Sequence, residues 1–88
     1  SYESDIKKAK DLIIEILNNN PKVLETPKPE VFVRNLTDSA IQLAVRPWAK
    51  NDDFGAVFTE TLENCKMAFD NAGIIIQPYV KEMSQSNA

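Results

Sequence analysis

The chain has no histidine, one cysteine and two glycines among its 88 residues. Without histidine, and with Cys65 alone, zinc, copper and haem sites lose their usual ligands. General acid–base catalysis loses its commonest side chain. A lone cysteine forms no internal disulfide and fits a reducing compartment such as the cytosol. Gly55 and Gly73 do not make a glycine-rich phosphate loop. We therefore predict no metal, no cofactor and no catalytic residue.

Long apolar runs and an excess of basic residues are also missing. The longest apolar run is residues 73–76, whereas a membrane span needs roughly 20 residues. The first ten residues are polar and charged, unlike a signal peptide. Ten basic and thirteen acidic residues give a net charge of −3, which lacks the basic footprint of nucleic-acid binding. The remaining 43% hydrophobic and 26% charged composition is typical of one soluble globular domain.

Two helices are predicted from apolar residues spaced three and four apart. The first covers residues 5–19, with Ser4 as its N-cap and Asp5 meeting the helix dipole. The second covers residues 53–72, capped by residues 51–53 and ended by Gly73 in a left-handed conformation. Lys7 and Lys8 lie within reach of Asp11 on the solvent-exposed side of the first helix.

Three strands are predicted between and after these helices. Residues 30–36 and 40–49 form a hairpin, and a type I-based loop at residues 37–39 joins them. The second strand alternates with period two, and its pairing should weaken at Pro47, which has no N–H to donate. A short buried strand follows at residues 74–77. The domain covers residues 1–80, and residues 81–88 are predicted to be a disordered tail.

The resulting order, α-β-β-α-β, lacks one leading strand of the ferredoxin-like order β-α-β-β-α-β. We therefore predict an α+β fold: a ferredoxin-like sandwich without its first strand, with two helices on one face of a small, mainly antiparallel sheet. The missing strand would separate the strands at residues 41–49 and 74–77. We expect this gap to be closed by direct parallel pairing of the two strands, by the tail, or by a second copy of the chain.

Few residues suggest chemistry. Cys65 lies in the apolar stripe of the second helix and is interpreted as a core residue rather than a nucleophile. Asp52 and Asp53 are interpreted as cap and dipole partners rather than a metal pair. Asn35 and Arg46 could grip an anion as in acylphosphatases of this fold, but those enzymes need a phosphate loop after a first strand that this chain does not contain.

Aromatic residues in unusual places suggest a contact surface instead. Trp48 lies on the less apolar face of its strand, where it either packs within the domain or contacts another subunit. Pro78, Tyr79 and Val80 form an apolar, aromatic extension beyond the last predicted strand. These four residues are the candidate interface.

Several segments taken in order resemble the C-terminal cytoplasmic domain of small-conductance mechanosensitive channels of the MscS family. They are Pro29-Glu30-Val31-Phe32-Val33, Leu36-Thr37-Asp38-Ser39 and Leu43-Ala44-Val45-Arg46-Pro47-Trp48-Ala49, with further similarity at residues 1–9 and 62–74. The similarity covers nearly the whole chain, about residues 1–79.

The resemblance implies a non-enzymatic domain in a cytoplasmic cage of an inner-membrane channel. In that family the cage is heptameric, membrane helices and a β-rich middle domain come first, and the channel releases solutes under hypo-osmotic tension. We accordingly expect a homo-oligomer, a long apolar span upstream in the intact protein, and no direct membrane contact by this segment. The alternative is a ferredoxin-like regulatory module that pairs as a dimer and binds a small ligand, which a metabolite would stabilise thermally.

Overall fold

The fold is a two-layer arrangement of two helices over a small sheet, in a computed structural model that describes residues 2–36, 41–81 and 83–85. The predicted order α-β-β-α-β is confirmed, with two further short strands. The elements are α1 (Tyr2–Asn18), β1 (Glu30–Leu36), β2 (Ile41–Arg46), β3 (Trp48–Lys50), a 3-10 turn (Asn51–Asp53), α2 (Phe54–Ala72), β4 (Gln77–Val80) and β5 (Met83–Gln85).

Helix α1 begins three residues before the predicted start, at Tyr2, so the prediction of Ser4 as its N-cap is wrong. Glu3 and Asp5 both lie in the first turn, where carboxylates are favourable beside the partial positive charge of a helix N-terminus. The apolar stripe is buried as predicted. The expected i,i+4 pair forms between Lys7 Nζ and Asp11 Oδ2 at 3.1 Å.

Strand β2 is the centre of a three-stranded sheet with the order β1-β2-β4. It pairs antiparallel with β1, and a bulge at Arg34 interrupts the register. The predicted strand over residues 40–49 is divided at Pro47, as expected from its missing N–H. Beyond Pro47 the chain continues as β3, which pairs in parallel with β5 in a separate two-stranded sheet. Ala40 and the turn at residues 37–39 lie outside the described residues.

The last predicted strand, residues 74–77, is wrong by three positions, because the strand is β4 (Gln77–Val80). Ile74 and Ile76 are buried in the core while Ile75 is 93% exposed, so these residues form an in-out-in connector between α2 and β4. Direct parallel pairing, one of the three expected ways to close the gap, is confirmed with β2 and β4 as partners. The sheet is therefore mixed rather than mainly antiparallel.

Helix α2 follows the 3-10 turn directly. Asp53 occupies its N-cap position without a side-chain cap hydrogen bond, so the capping role predicted for this carboxylate is wrong. The predicted stop at Gly73 is confirmed, with φ 69° in the left-handed region. Gly73 N–H donates to Asp70 O and Ile74 N–H donates to Phe69 O, the two bonds of a Schellman motif.

The core lies between the helices and one face of the sheet. Its fully buried apolar members come from α1, β2, β3 and α2: Ala9, Ile13, Leu17, Leu43, Val45, Ala49, Val57, Cys65 and Phe69. Of the segment predicted to be a disordered tail, the structure describes residue 81 and Met83–Gln85, and it places the latter in β5.

Candidate functional site

The opposite face of the three-stranded sheet, here called the outer face, has no described helix over it. Because side chains alternate along a strand, every second residue points away from the core. The outer face comprises Phe32, Arg34, Gln42, Ala44, Arg46, Gln77 and Tyr79, with Lys81 at its margin. Ala44 is only 3% exposed, because the longer side chains around it cover it.

A ladder of polar side chains crosses the outer face from one edge strand to the other. Arg34 Nη1 donates to Gln42 Oε1 at 2.7 Å, and Gln42 Nε2 donates to Gln77 Oε1 at 3.3 Å. The Arg34 guanidinium also lies over the ring of Tyr79, with its carbon 3.9 Å from the ring centroid. This cation–π contact and the hydrogen bonds hold the charged group in one place on the surface.

The outer face is aromatic and basic. Phe32 and Tyr79 are 41% and 40% exposed. Arg34, Arg46 and Lys81 are its cations, and Glu30 at the rim lies 3.6 Å from Arg46. A pair this exposed contributes about 0–1 kcal/mol to stability. The carboxylate of Glu30 offsets one of the three positive charges, so the described residues of the outer face and its rim keep a net positive charge.

Helix α2 has an exposed surface of different character, on the side of the molecule opposite to the outer face. Met67 is 63% exposed there, and Glu63 and Asp70 are exposed one turn before and after it. These three residues, spaced four and three apart, share one side of the helix and are here called the acidic side. Glu60 on the next turn is engaged elsewhere: Lys22 Nζ and Asn20 Nδ2 each donate to it at 3.0 Å. The Lys22 hydrogen bond, and then the Asn20 one, lower the pKa of the Glu60 carboxyl.

The four predicted interface residues do not lie together on one surface. Tyr79 is on the outer face and is the most exposed of them. Val80 is paired with Val45 and belongs to the core cluster, and Pro78 is half-buried opposite Leu43. Trp48 is half-buried in β3, where its carbonyl accepts a hydrogen bond from Leu24 N–H at 2.8 Å. Contact of these residues with another subunit stays a prediction.

The residues considered for chemistry are not assembled into a reactive site. Asn35 pairs with Gln42 and Arg46 with Glu30, which places them about 13 Å apart along the hairpin, too far to grip one anion. Cys65 is fully buried, and burial raises the pKa of its thiol to about 11, as expected for a core cysteine. Among the described residues, no three His, Cys, Asp or Glu side chains lie close enough to hold a metal ion.

Arg34, Gln77 and Met67 were missed as surface residues by sequence reasoning. The alternation of β2 places Gln42 and Arg46 on its second face, but that Arg34 lies beside Gln42 depends on the pairing register of β1 with β2, which the sequence does not give. Gln77 joins the ladder only because β4 begins three residues later than its apolar run. Of these three residues, Met67 could have been identified as a surface residue, because it lies off the apolar stripe of α2.

Comparison with known proteins gives consistent results for most of the chain. Residues 1–76 match the profile of the domain "Mechanosensitive ion channel MscS, C-terminal". An uncharacterised MscS family protein from Archaeoglobus fulgidus is 37% identical over 75 residues, covering 85% of this chain and 26% of that protein. One from Synechocystis is 28% identical over 92 residues, covering 93% and 31%.

A small-conductance mechanosensitive channel from Edwardsiella ictaluri is 26% identical over 76 residues, which cover 84% of this chain and 27% of that protein. The chain thus spans between about a quarter and a third of the length of these curated relatives. No solved structure gives a significant match. Neither α1 nor α2 combines the length and apolar character needed to cross a bilayer, considering the described residues alone. The profile match over residues 1–76 establishes that the chain belongs to the MscS family, through the C-terminal domain of that family.

Proposed function

We propose that this chain forms part of the wall of a cytoplasmic cage in a mechanosensitive channel, which releases ions and small solutes when hypo-osmotic shock stretches the membrane. Its role there is subunit assembly rather than catalysis, and its partners are other copies of itself, seven in the complete ring. Family membership supports the channel context, and the Edwardsiella relative bears the name of such a channel.

The observation that carries the assembly role is the outer face. A sheet face with two aromatic rings near 40% exposure and a fixed guanidinium is expected for a surface that meets another protein, because Tyr, Phe and Arg are enriched in interfaces. Among the described residues, no group of His, Cys, Asp or Glu side chains beside it could hold a metal ion. A wall segment needs packing surfaces, and these are what the domain presents.

The proposal places the domain on the cytoplasmic side of the cell membrane, beneath membrane helices and a middle domain of the same protein. The relatives support a longer protein, because the matched segment is only 26–31% of their length. In this arrangement the segment itself touches neither lipid nor nucleic acid.

The test is made on the full-length protein that carries this domain. It is expressed in a bacterial strain without mechanosensitive channels, and survival of hypo-osmotic shock is counted. Survival should rise, and patches pulled from the same cells should show pressure-activated currents. The matched control carries Asp11→Asn, which alters an exposed residue of α1 and should survive equally. A protein that reaches the membrane and gives neither survival nor currents contradicts the proposal.

A further inference from the structure

The outer face has no cover in the described part of the chain, and the acidic side of α2 is exposed on the other side of the molecule. We infer that the two surfaces are complementary halves of one contact, in which the outer face of one copy docks on the acidic side of α2 in the next copy. This inference rests on the proposed function, because it names the partner of the assembly surface.

Charge is the first argument. Among the described residues, the outer face and its rim hold three of ten basic residues and one of eleven acidic residues. The other described residues comprise seven basic and ten acidic side chains, so a second copy is a partner with the correct sign. Opposite potentials across an interface steer association and fix its register.

The acidic side of α2 fits better than α1. On α1, acidic residues alternate with Lys7, Lys8 and Lys10, and Lys7 already pairs with Asp11. On α2, Glu63 and Asp70 flank Met67, with Lys66 at the border of the surface. An outer face with three cations meets more opposite charge on α2 than on α1.

Apolar contact is the second argument. Met67 is 63% exposed, which leaves most of an apolar side chain in water unless a partner covers it. Phe32 and Tyr79 supply exposed rings on the other surface. A flexible thioether packs favourably against aromatic edges, so Met67 can seat between these rings while Glu63 and Asp70 reach the cations beside them.

The positions of the two surfaces define the kind of assembly. Helix α2 packs its buried stripe on the core face of the sheet, and Met67 lies away from that stripe. The outer face is on the far side of the same sheet. One copy therefore presents the two halves in opposite directions, and the contact is heterologous, repeating head to tail until a ring closes.

The experiment uses cysteine pairs in the full-length protein in membranes, joined by a short bismaleimide. Lys81→Cys at the margin of the outer face is combined with Lys66→Cys at the border of the acidic side. This pair removes one of the three outer-face cations and one cation beside the acidic side, and it leaves Arg34, Met67 and Glu63 intact. We expect a ladder of dimers, trimers and larger species on denaturing gels. The matched control pairs Lys81→Cys with Lys8→Cys on α1, and should remain monomeric. The native Cys65 is fully buried, so it can stay in place.

Charge reversal then tests the contact itself in the Lys81→Cys, Lys66→Cys background. Arg34→Glu alone and Glu63→Arg alone should each abolish the ladder. Mixing the two single variants should also restore a ladder, in which the two variants alternate, because every contact between unlike copies then joins one acidic and one basic residue. Combining both changes in one chain should restore the ladder.

The other outcomes overturn the inference in distinguishable ways. A ladder in the Lys8→Cys control instead means that α1 is the docking surface. A crosslink within one chain means that the two surfaces of a single copy meet, which contradicts a contact between copies. No crosslink in a protein that native mass spectrometry finds oligomeric removes this contact and leaves the proposed function standing. A monomeric full-length protein removes both.

Discussion

The two faces of the three-stranded sheet differ in how deeply their side chains are buried and in which side chains they carry. On the core face, Leu43 and Val45 are fully buried against both helices, and their positions follow from alternation alone. On the outer face, two rings are near 40% exposure, and a hydrogen-bonded ladder fixes the guanidinium of Arg34 over the ring of Tyr79. The core face therefore holds the domain together, whereas the outer face leaves two aromatic rings partly exposed to solvent.

The greatest loss of stability is expected when a buried phenylalanine on the core side of the sheet is removed, and a phenylalanine on the outer face serves for comparison. Phe69→Ala empties a buried site in the core and should cost about 3–5 kcal/mol of the free energy of unfolding. Phe32→Ala on the outer face should cost less than about 1 kcal/mol, because the ring is already 41% exposed. Urea unfolding followed by the fluorescence of Trp48, the single tryptophan, measures both. Equal losses would show that the outer face is also part of the folding core.

The next prediction tests whether water reaches the core around Cys65. Burial raises the pKa of Cys65 from 9.0 to about 11, so folding opposes ionisation of this thiol. The stability contributed by the neutral thiol is complete below pH 9 and is lost as the pH rises toward 11, by at most about 2–3 kcal/mol.

The measurement for Cys65 is the difference in unfolding free energy between the native chain and Cys65→Ala at several pH values. Alanine leaves a cavity whose cost does not depend on pH, so only the thiol titration changes the difference. The advantage of the native chain should shrink above pH 9. A constant difference from pH 7 to 11 would mean that water reaches this part of the core.

A smaller effect tests the point where the chain leaves the helix layer for the sheet. Gly73→Ala should destabilise by about 1–2 kcal/mol, because φ 69° is unfavourable for a residue with a Cβ. Gly55→Ala is the matched control, since nothing lies within 4 Å of the added atom and φ is ordinary there. The control should stabilise slightly through the better helix propensity of alanine. A neutral Gly73→Ala would argue against the left-handed cap.

The last and weakest of these contacts is exposed and joins the connector after α1 to helix α2. Glu60→Gln removes the ion pair with Lys22, whose side chains are 41% and 40% exposed. The pKa of Glu60 is lowered in the folded chain, so its contribution is present at neutral pH and lost as the pH falls through that lowered pKa. Melting temperatures of both proteins should differ slightly at pH 7 and coincide in acid. A difference that persists in acid would assign the effect to packing.

The core and the order of elements could be predicted because apolar periodicity reports which side of an element faces inward. The end of α2 followed from Gly73, and the break in the strand followed from Pro47. Both residues act through their own backbone, so no knowledge of neighbours is needed. The start of α1 was predicted too late because Ser4 is compatible with a helix interior as well as with a cap.

The outer face could not be predicted from the sequence because it depends on register between distant strands. Tyr79 meets Arg34 only after β4 pairs with β2 in parallel and β1 pairs with β2 on its other edge. Three isoleucines in a row suggested a strand, yet the chain pairs from Gln77 onward. Pairing partners are set by the packing of the whole molecule, which local patterns do not contain.

Pro47 lets a single continuous stretch serve two sheets, with β4 alongside β2 and β5 alongside β3, both in parallel. Residues 77–80 and 83–85 therefore pair with two successive strands, first β2 and then β3. A force applied along these strands loads the hydrogen bonds of each pair in shear, so the bonds share the force instead of opening one after another. Hydrogen bonds loaded together in this way resist a force along the strands better than bonds that are loaded one at a time.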